Sequence, residues 1–200
     1  MLVWLLPSVL WVWFCLPGGA AQVGAPAPLP VSVPALQQQK RALDAYARAH
    51  PTGFVTYARM GNGRLVRVKN NDLPDDTQTV YRMLLNQHRV VLVHEAPTSE
   101  SGDWHLTHTH YFTPHGQTFA YECRTAFFNS LCTPDPEGVA HETRVHYYAA
   151  GRRLRPGEYR LTDSEGRSLP KARCQLPVER PYQLSKTVAE FIHKNKLALH

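Results

Sequence analysis

No charged residue precedes Lys40 in this 200-residue chain, so the formal charge of +6 falls entirely on Lys40 and the residues beyond it. The G-x-S-x-G elbow, the H-E-x-x-H pair, the phosphate loop and the dinucleotide fingerprint are all missing. Their absence removes the motif-based hydrolase, zinc-protease, nucleotide and Rossmann readings. C-x-x-C is missing too, which takes away the usual dithiol redox site. Charged residues are few, at 19% against 43% hydrophobic, which excludes a charge-rich disordered chain and fits one globular domain.

What is present begins with an apolar run from Met1 to Leu16, broken at Pro17-Gly18-Gly19 and followed by Ala20-Ala21. An apolar stretch, a helix breaker and small residues are the pattern that signal peptidase cuts. The basic start of such a leader is absent. The layout expected is a signal peptide over 1–21, cut after Ala21, a Pro/Ala-rich tether over 22–33, and one domain over 34–200. An uncleaved anchor is the rival, but the run is short for a span of about 20 residues. Bulky Trp13 and Phe14 before Cys15 speak against lipoprotein processing. The leader implies export to the periplasm or medium, with membrane contact only through the leader itself.

A pI near 9.3 suits an unknown protein or another acidic envelope component as partner, and equally an ordinary basic surface. Nucleic acid does not suit it, because the signal is for export and the basic residues are scattered.

Leu36, Leu43, Tyr46 and Ala47 recur at helical spacing, with Lys40, Arg41, Asp44 and Arg48 elsewhere. This predicts an amphipathic helix from Pro34 to His50, ended by Pro51. Leu184, Val188, Phe191 and Ile192 predict a second near the C-terminus. Between them, alternating segments flank turn residues: Phe54–Met60 and Leu65–Val68 around Gly61-Asn62-Gly63, then Trp104–Phe112 and Thr118–Phe128 around Thr113–Gly116. Thr143–Ala149 runs into Gly151, and Tyr159–Thr162 turns through Asp163–Gly166. Residues 77–95 allow a helix capped by Asp75 and Gln78, but Thr77, Thr79, Val80, Tyr81 and Val90–Val93 favour a further hairpin. The fold class expected is α+β, an antiparallel β-meander of successive hairpins with an N-terminal and a C-terminal amphipathic helix.

Three cysteines lie beyond the leader: Cys123, Cys132 and Cys174. Export makes a disulfide the expectation, and three pairings are open. Cys123 alternates with Phe119, Tyr121, Thr125 and Phe127, which predicts a thiol pointing into the core. Cys132 and Cys174 sit at element ends beside turn residues, so these two are expected to pair. The absence of C-x-x-C leaves a redox role the weaker alternative.

Site chemistry is conceivable in one stretch, Gly102 to His110. On a strand His108 and His110 share a face, and His115 or Glu122 could reach them through the fold. The glycine–histidine spacing resembles the first half of the cupin metal motif, but the carboxylate and glycine that should come next are replaced by the turn Thr113–Gly116. Trp104, Leu106 and Phe112 share the same face, so two hydrogen-bonded core histidines are the plainer reading. Ser99, Glu100, Ser101 and Asp103 read as turn chemistry, and Glu95, Glu122 and Glu142 have no spacing that marks an acid/base pair.

The pattern Ser99–Trp104, Tyr111-Phe112, Gly116, Phe127–Ser130 with Cys132, Tyr159–Asp163 and Cys174 resembles an uncharacterised group of exported bacterial proteins over residues 77–183. The hairpins also resemble MORN-like β-meander modules without their repeat. The resemblance implies a compartment and an architecture, and no established activity. The function expected is a non-catalytic envelope or secreted domain that binds through a sheet face or basic patch, with no cofactor. The alternative is a metal carrier or metal-dependent enzyme using His108, His110 and His115 with a transition metal.

Overall fold

Punctuation by turns sets the architecture of the protein, a computed structural model that describes residues 31–70, 72–99, 101–128, 132–133, 135, 137–171, 174 and 182–197. The expected leader, and all but the last residues of the tether, lie outside the described residues. Helix α1 (Val33–Ala49) is followed by strands β1 (Phe54–Met60), β2 (Leu65–Val68), β3 (Thr77–Asn86) and β4 (Arg89–Pro97). Then come β5 (Trp104–Phe112), β6 (Thr118–Phe128), β7 (Val139–Ala149), β8 (Arg152–Thr162) and helix α2 (Val188–Asn195). The strands form one antiparallel sheet in the order β2-β1-β3-β4-β5-β6-β7-β8. The fold is α+β, a sheet of successive hairpins with two helices.

One neighbouring pair departs from the meander: β3 lies beside β1, not β2. The β2–β3 connection therefore passes the end of β1, where Asp76 accepts from the Gly61 amide through both its carbonyl and its carboxylate, each at 3.1 Å. A Cβ at Gly61 would stand 2.6 Å from that carboxylate, so glycine is needed for the close approach.

Residues 77–95 are the hairpin expected. Its turn places Gln87 (φ 48°) and His88 (φ 62°) in the left-handed region that a two-residue hairpin loop demands, without a glycine. Strand β7 begins at Val139 and β8 at Arg152, both earlier than the expected Thr143 and Tyr159. The start of β8 carries Arg152, Arg153, Arg155, Pro156 and Gly157, a composition that reads as loop. It is tolerated because β8 is an edge strand whose register shifts against β7.

The register assigns the faces. Phe54, Leu84, Leu92, Tyr111, Ala120, Tyr147 and Leu154 are successive cross-strand partners, forming an apolar row across seven strands. Leu36, Leu43, Tyr46 and Ala47 of α1 pack on that row. Ser32 caps the helix by accepting from the Ala35 amide. Lys40, expected off the packed face, is only 7% exposed, because it lies one turn from Leu36.

On the opposite face Phe191, Val188 and Ile192 of α2 pack with Tyr57, Tyr81, Met83, Val93 and Phe112. Thr187 accepts from the Glu190 amide, while Glu190 accepts from the Lys186 amide, a reciprocal cap. Further along this second face, Phe127, Ala140, Trp104 and Leu169 surround Cys132 and Cys174. These two cysteines form a disulfide pair with Cα atoms 4.5 Å apart. Cys123 is free but only half-buried, since its cross-strand neighbours are His108 and Arg144 and not core apolar groups.

Candidate functional site

Strand β5 carries two kinds of histidine, and alternation sends them to opposite faces. His108 and His110 share a face, as expected; it is the face that α2 packs on, and both are covered. The His110 ring is fully buried among Phe112, Tyr121, Tyr182 and Phe191, with centroids 5.0–6.0 Å away. Neither of its nitrogens has a hydrogen-bond partner among the described residues. His108 stacks on Tyr182 at 3.8 Å, and its Nδ1 lies 2.6 Å from the Tyr121 hydroxyl. Tyr182 donates to Glu95 at 2.8 Å, and the Lys194 ammonium lies over its ring at 5.2 Å. Burial, helped by Lys194, lowers His108 to about 4. Burial, then His108 and Lys194, lowers His110 to about 3. Both rings are therefore neutral at pH 7. Burial raises the Glu95 carboxyl and the Tyr182 hydroxyl.

The other proposed ligands are elsewhere. His115 is exposed in the β5–β6 turn. Glu122 pairs across to Thr109 and so faces away from His108 and His110. Among the described residues, no group of three or more His, Cys, Asp or Glu side chains could hold a metal ion.

The opposite face of the same strand is open. Beyond the row covered by α1, the partners Thr107, Arg124, Thr143 and Arg160 form one polar row, and His105, Ala126, His141 and Thr162 form the next. Together with His94, Thr109 and the Asp163–Gly166 turn, they line a concavity of about 620 Å³. His105, Arg124, His141 and Arg160 are exposed.

Under its rim lies a buried chain of charges. Glu122 is 2% exposed and takes Lys40 Nζ at 2.6 Å on one oxygen and Arg124 Nε on the other. Lys40 also holds Asp44 at 2.9 Å and lies 4.7 Å over the Tyr111 ring, and Asp44 accepts from the Tyr111 hydroxyl at 2.8 Å. Each charge in this chain is thus paired, as a buried charge must be. The Arg124 fork is held by its Nε while the side chain is 60% exposed. His94 lies 2.9 Å from the Thr109 hydroxyl and stacks on Phe54 at 5.7 Å; burial, then Arg82 and Arg124, lowers it to about 4.

No family model, curated protein or solved structure matches this chain. The site rests on its own geometry. Sequence reasoning points to the covered pair of histidines and passes over the open face. The signal for the basin is present in His105, Thr107 and Thr109, the alternate positions of the same strand, but Arg124, His141 and Arg160 join them only through register across four strands.

Proposed function

We propose that this chain is an exported, non-catalytic binding domain that holds an acidic partner against the open face of its sheet. The observation that carries the reading is the pair of polar rows exposing Arg124 and Arg160 beside His105 and His141. Guanidinium groups on a rigid sheet recognise anions with little ordering cost, and the formal charge of +6 brings such partners closer.

Export is supported by the apolar leader and by the Cys132–Cys174 pair. The resemblance to exported bacterial proteins stands as part of this proposal. So does the reading of α1 and α2 as amphipathic covers that leave half of one face free.

Two measurements test the reading. Retention of the purified protein on an acidic polymer should fall with salt and fall further in Arg124→Gln/Arg160→Gln, but not in Arg64→Gln, which lies in the β1–β2 turn. N-terminal sequencing of exported protein should begin near Gln22, whereas an intact Met1 in the membrane fraction would mean an anchor.

A second reading, a transition metal held by His108 and His110, is favoured by the two unpartnered nitrogens of His110. Metal analysis of the purified protein decides it: about one metal per chain, lost in His108→Ala, would establish it.

A further inference from the structure

Within the basin, we infer a seat for one tetrahedral oxyanion ester, phosphate or sulfate, over Thr143 between Arg124 and Arg160; this rests on the open face being the binding surface.

Thr143 is the direct cross-strand neighbour of Arg124 on one side and of Arg160 on the other. Two strand spacings of about 4.8 Å put the two arginine Cα atoms about 10 Å apart. Both side chains are long enough to lean inward over the threonine between them. Thr107 continues the row beyond Arg124, so hydroxyls and guanidinium groups alternate across four strands. Among the described residues, neither the Thr143 hydroxyl nor the Arg160 guanidinium has a hydrogen-bond or ion-pair partner. Both are available to a ligand.

The two arginines differ usefully. Arg124 is anchored through Nε to Glu122, and Glu122 is anchored in turn by Lys40. Its terminal nitrogens are therefore presented from a fixed direction. Arg160 stands on the edge strand and is free to close from the other side.

Donors thus approach from two flanks and from the floor. A carboxylate offers two oxygens in one plane and satisfies one guanidinium fork well. A phosphate or sulfate ester offers three acceptor oxygens around a tetrahedral centre and can meet both forks and the hydroxyl at once. His105 and His141 sit one row further on, separated by the small Ala126. That notch leaves room for whatever carries the ester.

The test is titration of the purified protein with inorganic phosphate, inorganic sulfate and acetate, read by calorimetry or by amide shifts of β6–β8. Phosphate or sulfate should bind at least tenfold more tightly than acetate. Thr143→Val keeps the shape and β-propensity of the strand and should weaken oxyanion binding about tenfold, since a hydrogen bond to a charged group is lost. Arg160→Gln should weaken it at least as much. Retention of Thr143→Val on a polyglutamate matrix should hardly change.

A sulfated oligosaccharide and vesicles containing phosphatidic acid, whose headgroup is a phosphate monoester, then separate the two sources of the ester. Tighter binding by the oligosaccharide assigns a glycan, and tighter binding by vesicles assigns a lipid headgroup. If Thr143→Val binds oxyanions like the parent, or acetate binds equally well, the seat is refuted while the acidic-partner reading survives. If the parent is retained by no polyanion at all, both fall together.

Discussion

His110 gives the sharpest residue-scale expectation, because a buried imidazole with two idle nitrogens costs stability that a phenyl ring of similar shape would not. His110→Phe should be neutral or stabilising at pH 7, by up to about 1–3 kcal/mol, in urea or thermal melts. A clear loss of stability would mean that those nitrogens have a partner such as a bound metal. The pH dependence comes from the same burial. His94, His108 and His110 are lowered from 6.5 to about 4, 4 and 3. The unfolded chain therefore takes up protons first as pH falls. Their contribution is fully present above pH 6.5 and is lost progressively as pH falls through 4 towards 3. Glu95, raised by burial, works in the opposite direction. The histidine share is therefore read by difference: unfolding of His110→Phe should take up close to one proton fewer than unfolding of the parent across that window. Alternation made the pairing of His108 with His110 legible. It could not show that Tyr182, far downstream, would cover them.

At the scale of elements, the docking of α1 places a buried ion pair within an apolar interface. Lys40 and Glu122 are both buried, so Lys40→Met leaves Glu122 with Arg124 alone. It should cost about 3 kcal/mol in a denaturant melt. Adding Glu122→Leu should recover most of that loss, because a vacated buried pair can be replaced by apolar groups. If the double variant were as unstable as the single one, the pair would not be what matters at Lys40. Most elements were legible because their signals are local. Period-two alternation marked β1, β5 and β6, and Gly61-Asn62-Gly63 marked the first hairpin. The start of β8 was hidden because an edge strand tolerates Arg, Pro and Gly. The crossing of β2 to β3 was hidden because it depends on Asp76 meeting Gly61, a contact with no periodicity. Lys40 was misplaced because its charge spoke for solvent while its position, one turn from Leu36, spoke for the core. The basin was illegible for a related reason: Thr107, Arg124, Thr143 and Arg160 belong to four different strands, and only their pairing makes them one surface.

Across the whole molecule, the Cys132–Cys174 bridge closes a sequence separation of 42 residues and ties the β6–β7 connection to the segment after β8. Cys132→Ser and Cys174→Ser should each cost about 2–5 kcal/mol, and the double variant little more than either alone. Peptide mapping without reduction should recover the linked fragment, and Cys123 in that fragment would overturn the assignment. A last consequence belongs to the two rims of the sheet. An unclosed sheet exposes backbone donors and acceptors on which foreign strands could polymerise. One rim is β2, only four residues long. The other is β8, studded with Arg152, Arg153 and Arg155, interrupted by Pro156-Gly157, and covered at its far end by Ser168 and Leu169 folding back on Leu161 and Thr162. Brevity on one side, and charge repulsion with a missing donor on the other, should protect a concentrated solution of this protein from fibril growth. Replacing those three arginines with threonine should remove the protection and be visible as thioflavin-positive aggregation.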